Sequence, residues 1–290
     1  ISNWGGSNWQ ITNNTLNETE AAGGGGIAIL VGARVGYGTA QGNIIEDNVM
    51  TPAATAPTFT CPAICVSLDL RYGGYDDMTG TEDVSYNKVL RNYIEGNGAG
   101  SEVGVEIGVI GVSGDPNKIA ATLGMVHDNL VRDNLIYSTD WGVYFYTVED
   151  LDVIGNEIID CNDAVHLHDS HKGVRVNYNN IIGNAVHGVN NVNDVTLDAE
   201  YNWWGDVSGP NDPAGTAETD GVICYETSDI KNADGTGNSV SDNNVDYCPW
   251  LTAPVSTSVY PYLRGDLDYD GDVDFDDVAI LANNWLAGKD

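Results

Sequence analysis

The sequence predicts an all-β fold, a right-handed single-stranded parallel β-helix, followed by a small C-terminal unit that consists of a calcium loop and a helix. Three observations support this prediction. An asparagine-led segment recurs along the chain, short alternating strands lie between its copies, and no helical period runs through residues 1 to 200. We expect the β-helix with its closing coil to span residues 1–262 and the terminal unit to span residues 263–290.

The repeat has the pattern Asn, any residue, Ile or Val, two further residues and Asn. It occurs as NIIEDN from Asn43, NKVLRN from Asn87, NLVRDN from Asn129, NEIIDC from Asn156 and NNIIGN from Asn179. The later steps are 27 and 23 residues and the earlier ones 44 and 42, which leaves room for insertions at 51–62, 72–83 and 112–123. A recurring period of this size indicates stacked coils.

Stacked coils place equivalent residues about 4.8 Å apart along the axis. We expect one internal column of aliphatic side chains, formed by Ile45, Val89, Val131, Ile158 and Ile181. We expect an amide ladder at a bend, formed by Asn48, Asn92, Asn134 and Asn184. Cys161 occupies the ladder position in its own copy of the repeat, so the pattern predicts a buried, unpaired thiol there.

The segments NWWGDVSGP at 202–210 and GTGNSVSDNNVDYCPWL at 235–251 resemble the closing coil of secreted β-helix domains. Over roughly residues 10 to 260 the chain resembles right-handed β-helix repeat proteins, a group with pectate-lyase-like enzymes, NosD-type periplasmic proteins and surface proteins. The resemblance implies that Trp203, Trp204 and Trp250 cover the apolar end of the core. The group's fold hosts many unrelated functions.

Composition restricts the partners and the compartment. The net charge is −32 with only 11 Lys plus Arg, so nucleic acid is excluded as a partner, whereas divalent cations suit such a surface. No apolar run is long enough to span a membrane. Among the five cysteines, Cys224 with Cys248 and Cys61 with Cys65 are candidate disulfides, which favours an extracellular or cell-surface location.

Near its C-terminus the sequence contains the segment GDLDYDGDVDFDDVAILANNWL, residues 265–286. Counted from the first aspartate, its carboxylates fall at positions 1, 3, 5, 9 and 12 of a calcium loop, with Gly at 6 and a carbonyl ligand at 7. The spacing predicts calcium binding through Asp266, Asp268, Asp270, Asp272, Asp274 and Asp277. The segment resembles one half of a type I dockerin, which implies a protein partner. Since one unit is visible, the alternatives are a calcium-stabilised cap or half of a pair.

One outward-facing stripe is the candidate ligand platform. Alternation places Tyr144 and Tyr146 outward on one coil and His166 and His168 outward on the next, and neighbouring coils add Glu106 and Asn190. Stacked rings and imidazoles suit a sugar face or a transition metal. The alternative is an aromatic ladder that only stabilises cross-strand packing.

Two classes of function stay open. The first is an extracellular structural, assembly or glycan-binding protein, stabilised by calcium and stacked end to end in filaments or a surface layer, or part of a longer β-helix. The second is a lyase or glycoside hydrolase that acts on acidic polysaccharides. The basic residues on the coils, Lys88, Arg91, Arg132 and Arg175, form no paired cluster of the kind that a lyase needs, so the sequence favours the first class.

Overall fold

The computed structural model describes residues 1–17, 27–36, 38–51, 62–71, 75–96, 102–193, 195–213, 217–218, 230–241 and 244–255. The chain divides into two units, Ile1–Pro254 and Val255–Asp290. The first unit is a right-handed parallel β-helix, which confirms the predicted fold class. The predicted calcium loop, its helix and the expected boundary at residue 262 lie outside the described residues.

Three parallel sheets form the faces of the β-helix. The ten-stranded sheet contains β1 (Ser2–Trp4), β4 (Ile29–Arg34), β5 (Thr39–Gln41), β8 (Pro62–Asp69), β9 (Asp83–Ser85), β12 (Val103–Ile110), β13 (Val126–His127), β16 (Trp141–Glu149), β19 (Asp163–Lys172) and β22 (His187–Asn191). The eight-stranded sheet contains β2 (Gln10–Thr12), β6 (Ile44–Glu46), β10 (Lys88–Leu90), β14 (Leu130–Arg132), β17 (Asp152–Ile154), β20 (Arg175–Asn177), β23 (Leu197–Asp198) and β28 (Val245–Asp246).

The third sheet has six short strands: β3 (Thr15–Asn17), β7 (Val49–Thr51), β11 (Tyr93–Glu95), β15 (Leu135–Tyr137), β18 (Glu157–Ile159) and β21 (Asn180–Ile182). Two further strand pairs follow, β24 (Pro210–Asn211) with β27 (Gly237–Ser239) and β25 (Ala217–Glu218) with β26 (Ile230–Lys231). The described helices are a 3-10 turn, Tyr75–Asp77, and the α-helix α1, Pro116–Thr122. None of the described helices has the length and apolar character needed to cross a bilayer.

The ten-stranded sheet bends within β16. Up to Tyr146 this strand pairs with β12, and at Glu149 it pairs with β13 instead. Thr147, between these two parts, has a left-handed backbone with φ 51°. β12 belongs to the preceding coil. At the same bend, the chain departs from the β-helix after β12 and forms an inserted segment that contains α1. The bend is therefore the edge at which inserted loops flank the long strands.

Apolar side chains form continuous columns inside the coils. One column runs Ile11–Ile45–Val89–Val131–Val153–Val176, and the next runs Leu16–Met50–Ile94–Ile136–Ile158–Ile181. The predicted single column was therefore wrong, because Ile158 and Ile181 belong to the second column. The step from Asn129 to Asn156 is 27 residues long because the two asparagines lie at different bends. Five residues separate Asn129 from Asn134 at the next bend, and one coil of 22 residues separates Asn134 from Asn156.

Asparagine ladders line the bends between the sheets. The longest runs through Asn14, Asn48, Asn92, Asn134, Asn156, Asn179 and Asn202, each Nδ2 donating to the next Oδ1. Asn92 also donates to Ile45 O at 3.0 Å and accepts from Asn48 N at 3.0 Å, so this buried amide is fully hydrogen-bonded. Asn184 does not belong to this ladder; it accepts from Cys161 N at 2.9 Å at another bend.

The residue before each asparagine of the long ladder has a left-handed backbone. Its φ is 54° at Asp47, 49° at Arg91, 59° at Asp133 and 58° at Tyr178. Asn, Asp and Gly tolerate this region best, which explains why they recur before the ladder. Arg91 and Tyr178 depart from that rule. Arg91 donates to Asp47 of the preceding coil at 3.1 Å and pairs with Glu46.

Cysteines and tryptophans close the last coils. Trp204 and Trp250 are buried as predicted, and Tyr247 packs between them, whereas Trp203 is only half-buried. Cys248 is disulfide-bonded, and its predicted partner Cys224 lies outside the described residues.

The two remaining described cysteines are free thiols. Cys161 is buried and unpaired, which confirms the prediction, and burial raises the pKa of its thiol to about 11. The predicted Cys61–Cys65 disulfide was wrong: Cys65 is a free buried thiol whose Sγ lies 3.2 Å from Ser67 Oγ. The Cys65 side chain lies on the outer face of β8, beside Glu106 of β12. The strand register determines this position, not the closeness of Cys65 to Cys61 in the sequence.

Candidate functional site

The outer face of the long strands carries the candidate site. Strand pairing aligns Glu106, Tyr144, His166 and Asn190 side by side on β12, β16, β19 and β22. Tyr146 and His168 align in the same way two residues further on, next to the bend. The structure thus brings all six predicted platform residues to one sheet. That they bind a ligand stays a prediction.

Aromatic rings cover the middle of this face. The rings of Trp141 and Tyr144 stack with their centroids 4.8 Å apart and their planes 20° apart. The imidazole of His166 lies against both rings, 5.1 Å from Trp141 and 5.5 Å from Tyr144. We call these three residues, each half-buried, the aromatic platform.

Sequence reasoning missed Trp141. The residue precedes Gly142 and Val143, which both point into the coil, so simple alternation from Tyr144 assigns Trp141 to the interior. The corner between two sheets interrupts the alternation. Gly104, Gly142 and Gly188 lie at this corner, and a Cβ on Gly142 would meet Ile158 Cγ2 at 2.5 Å. The recurring Gly-Val pair, at 104–105, 142–143 and 188–189, is the sequence signal that could have identified the corner.

Asp163 is the polar centre of the face, and it was also missed. Its Oδ2 accepts from His166 Nδ1 at 2.7 Å and from Asn190 Nδ2 at 2.9 Å, and its Oδ1 accepts from His187 Nδ1 at 2.9 Å. Burial alone would raise the pKa of Asp163, but these hydrogen bonds outweigh burial and lower it. Because an ionised carboxylate only accepts, both histidines donate from Nδ1, so in the neutral imidazole the lone pair lies on Nε2.

Glu106 and Tyr146 form a second, more buried pair. Tyr146 donates its hydroxyl to Glu106 Oε1 at 2.6 Å, and its ring lies over Gly108, where a Cβ would come within 3.0 Å of Tyr146 Cδ2. Burial raises the pKa of Glu106, although the bond from Tyr146 opposes it, and burial with the charge of Glu106 raises the pKa of Tyr146. Tyr146 faces outward as predicted, but it is buried, and its ring packs beside Tyr144 with the two centroids 5.1 Å apart.

The inserted loop after β12 reaches the edge of the site. Ser113 Oγ donates to Asp169 Oδ1 at 3.3 Å and lies 3.5 Å from His168 Nδ1. His168 is 44% exposed and pairs with Asp169, not with His166. This loop therefore forms one wall beside the platform.

A transition metal was one ligand that the sequence suggested for this face. In the described ranges, no three His, Cys, Asp or Glu side chains are grouped so as to hold a metal ion. His166 and His168 are bonded to different carboxylates, Asp163 and Asp169, which argues against the shared transition metal that their spacing suggested. The six aspartates of the predicted calcium loop lie outside the described residues.

The basic residues considered for a lyase lie elsewhere. Lys88, Arg132 and Arg175 are on the eight-stranded sheet, and Arg91 is at the bend that follows it. Arg175 binds Asp152 through two bonds of 2.8 Å. None of these four cations lies on the sheet that carries the aromatic platform.

Comparison with known proteins identifies the scaffold. The family model described as the right handed beta helix region matches residues 1–203. No curated protein and no solved structure matches the chain.

Proposed function

Because the chain belongs to the right-handed β-helix family, whose fold serves many activities, we propose its function from the site alone: glycan binding on the aromatic platform. The single observation that carries this proposal is the stack of Trp141, Tyr144 and His166 on one half-exposed face. A pyranose ring presents an apolar C–H face that packs on aromatic rings, while its hydroxyls need donors and acceptors around the rim.

The polar groups around the platform match that requirement. His166 and His187 offer Nε2 acceptors, Asp163 holds both imidazoles in place, and Asn190 is fixed by the same carboxylate. A rigid rim lowers the entropic loss on binding, because few side chains have to be ordered. The surface charge of −32 favours a neutral glycan over a polyanionic one.

We also propose that the protein works outside the cell and is stabilised by calcium. The disulfide at Cys248 supports an oxidising compartment. The aspartate spacing from Asp266 to Asp277 supports calcium binding by the terminal loop. Protein partners of this terminal unit belong to the same proposal.

End-to-end assembly is part of the proposal. β1, β2 and β3 stand at the ends of their sheets, so among the described residues no strand pairs with their outer edges. Ser2–Trp4 and Gln10–Thr12 are strands of the first coil rather than a separate cap, and Trp9 is 51% exposed. Open strand edges of this kind pair readily with another chain.

A lyase or hydrolase acting on acidic glycans is the weaker candidate. A lyase needs a cation beside the uronate carboxylate, and the four cations considered for that role lie off the platform sheet. Incubation with a panel of uronic-acid polymers, followed by absorbance of unsaturated products and by reducing-end analysis, tests this candidate. We expect neither product.

Binding to a panel of neutral and uronic-acid oligosaccharides, measured by titration calorimetry, tests the main proposal. Trp141→Ala is expected to weaken binding of the preferred oligosaccharide about tenfold, which corresponds to about 1.4 kcal/mol. The matched control is Tyr178→Ala. Tyr178 stacks on Tyr201 with centroids 5.3 Å apart, but this pair lies at another bend. Equal losses in both variants, or no binding at all, would refute the proposal.

A further inference from the structure

The aromatic platform includes a histidine oriented by a carboxylate, a feature that sugar binding alone does not require. Asp163 Oδ2 accepts a hydrogen bond from His166 Nδ1 at 2.7 Å, and His187 and Asn190 donate to the same carboxylate. This arrangement presents His166 Nε2 as an oriented base, as in carboxylate–histidine dyads of hydrolytic enzymes. The side chain keeps 12% of its surface exposed, so a small reactant reaches it.

A proton donor stands beside this base. Tyr144 is the neighbour of His166 on the adjacent strand, and the two ring centroids are 5.5 Å apart. Burial, together with the charges of Glu106 and Asp169, raises the pKa of Tyr144 to about 12, so its hydroxyl keeps its proton at neutral pH. Both groups project from the same face of neighbouring strands, and they therefore act on a substrate from the same side.

The geometry disfavours glycosidic-bond cleavage by two carboxylates. Glu106 and Asp163 are two strands apart and three residues out of register, which separates their Cα atoms by about 14 Å. Glu106 is held toward Tyr146 and Asp163 toward His187. Retaining and inverting glycosidases need carboxylates about 5 to 10 Å apart.

The geometry also disfavours elimination from a uronate. Among the described cations of this sheet, Arg34 and Arg71 both pair with Asp69. Asp69 lies on β8, three strand spacings or about 14 Å from β19, the strand that carries His166. Lys172 pairs with Glu149 beyond the bend. None of these three cations is thus placed to neutralise a carboxylate next to His166. Addition to a carbonyl needs only a base and a hydrogen-bond donor on the same side.

We propose that His166 and Tyr144 hydrolyse O-acetyl esters on a neutral sugar held by the aromatic platform, with Asp163 as the positioning residue. This inference rests on the proposed glycan binding. His166 Nε2 takes a proton from water as the water oxygen adds to the acetyl carbonyl carbon, and the carbonyl electron pair moves onto its oxygen, which Tyr144 stabilises by donating its hydroxyl. The carbonyl then re-forms as the C–O bond to the sugar breaks, and the sugar oxygen takes the proton from His166. The free sugar hydroxyl and acetic acid are released, and the acid loses its remaining proton to solvent as acetate.

Hydrolysis of 4-nitrophenyl acetate and of acetylated xylo-oligosaccharides by the full chain tests the proposal. His166→Ala is expected to lower kcat/KM by on the order of 10²-fold. Tyr144→Phe, which keeps the ring, is expected to lower kcat with little change in KM. The matched control is His127→Ala, because His127 Nδ1 also lies 2.6 Å from a carboxylate, that of Asp128, away from the platform. His127→Ala is expected to leave the rates unchanged.

Asp163→Asn distinguishes positioning from a merely structural role. Its rate is expected to fall, and the pH at half-maximal rate is expected to move down, because the carboxylate no longer favours the protonated imidazole. An unshifted profile would contradict the positioning role. Equal rates in wild type, His166→Ala and His127→Ala would overturn the catalytic pair, and cleavage of 4-nitrophenyl acetate alone would overturn the sugar assignment.

The binding titration separates this inference from the proposed function. Oligosaccharide binding without acetate release that depends on His166 overturns the inference and leaves glycan binding intact. Absence of oligosaccharide binding overturns the proposed function itself.

Discussion

At the scale of single residues, the buried amides of the ladder fix the stacking of the coils. Asn134 receives the N–H and the Nδ2–H of Asn92 on its Oδ1 and donates to Val89 O and to Asn156 Oδ1. Each of these groups is buried, so the loss of one amide leaves several donors and acceptors without partners. Such orphaned groups are costly in the interior.

Asn134→Leu is therefore expected to lower the free energy of unfolding by about 3 kcal/mol. The measurement is chemical denaturation followed by circular dichroism. Asn117→Leu on the exposed surface of α1 is the control and is expected to change stability by less than about 0.5 kcal/mol. A loss in Asn134→Leu no larger than that of the control would contradict the role of the ladder.

Glu106 gives a prediction about pH. Burial raises the pKa of Glu106 in the folded protein above its unfolded value. The folded state therefore binds the proton more tightly, and stability falls as pH rises from the unfolded pKa through the folded one. Glu106→Gln keeps an acceptor for the Tyr146 hydroxyl and cannot ionise. We expect the variant to gain stability relative to wild type as pH rises from about 4 to 7. A difference that does not change with pH would contradict this.

At the scale of structural elements, the sequence predicted the parallel coils, the insertion at 112–123 and the alignment of Tyr144 with His166. The expected insertion at 51–62 lies almost wholly outside the described residues. The predicted aliphatic column combined residues from the two observed columns, because the bends of this β-helix share one local motif. Asn43 and Asn48 are five residues apart, and each directly precedes a strand whose second residue points inward. A segment that starts at either asparagine therefore looks the same, and only the pairing of strands distinguishes them.

The site was predicted in part for the same reason. Tyr144, His166 and Asn190 follow from alternation within a strand, whereas Trp141, Asp163 and His187 lie where the strands turn a corner. Whether an outward residue is covered depends on neighbouring coils and loops, as the burial of Tyr146 shows. No local pattern in the sequence carries that information.

The glycine corner provides a test at this scale. A Cβ on Gly142 would lie 2.5 Å from Ala164 O and from Ile158 Cγ2, so any larger residue displaces the corner under Trp141. Gly142→Val is expected to lower the free energy of unfolding by about 1–3 kcal/mol. Ala185→Val at an exposed position is the control. Equal thermal melting of both variants would contradict the packing argument.

At the scale of the whole molecule, the proposal combines a β-helix with a calcium-binding terminal loop. Asp270→Ala is expected to abolish calcium uptake by that loop in a calorimetric titration, because it removes the side-chain oxygen ligand at position 5. Asp76→Ala on the exposed 3-10 turn is the control and is expected to bind calcium like wild type. Calcium uptake that is unchanged in Asp270→Ala would refute the predicted loop.

Assembly is tested by size. We expect light scattering to show larger species in calcium than in chelator, because calcium screens repulsion between acidic subunits. A monomer under both conditions would refute end-to-end assembly. The calcium result and the size result are independent, since a loop can bind calcium without joining subunits.

The central claim is that the outer face of the long strands holds a sugar. The most direct measurement is a crystal structure of the chain in complex with the oligosaccharide that binds best in the titration panel. The account predicts a pyranose ring packed on Trp141 and Tyr144, with its hydroxyls hydrogen-bonded to His166 or His187. A sugar bound at any other surface, with the aromatic platform uncovered, would contradict it.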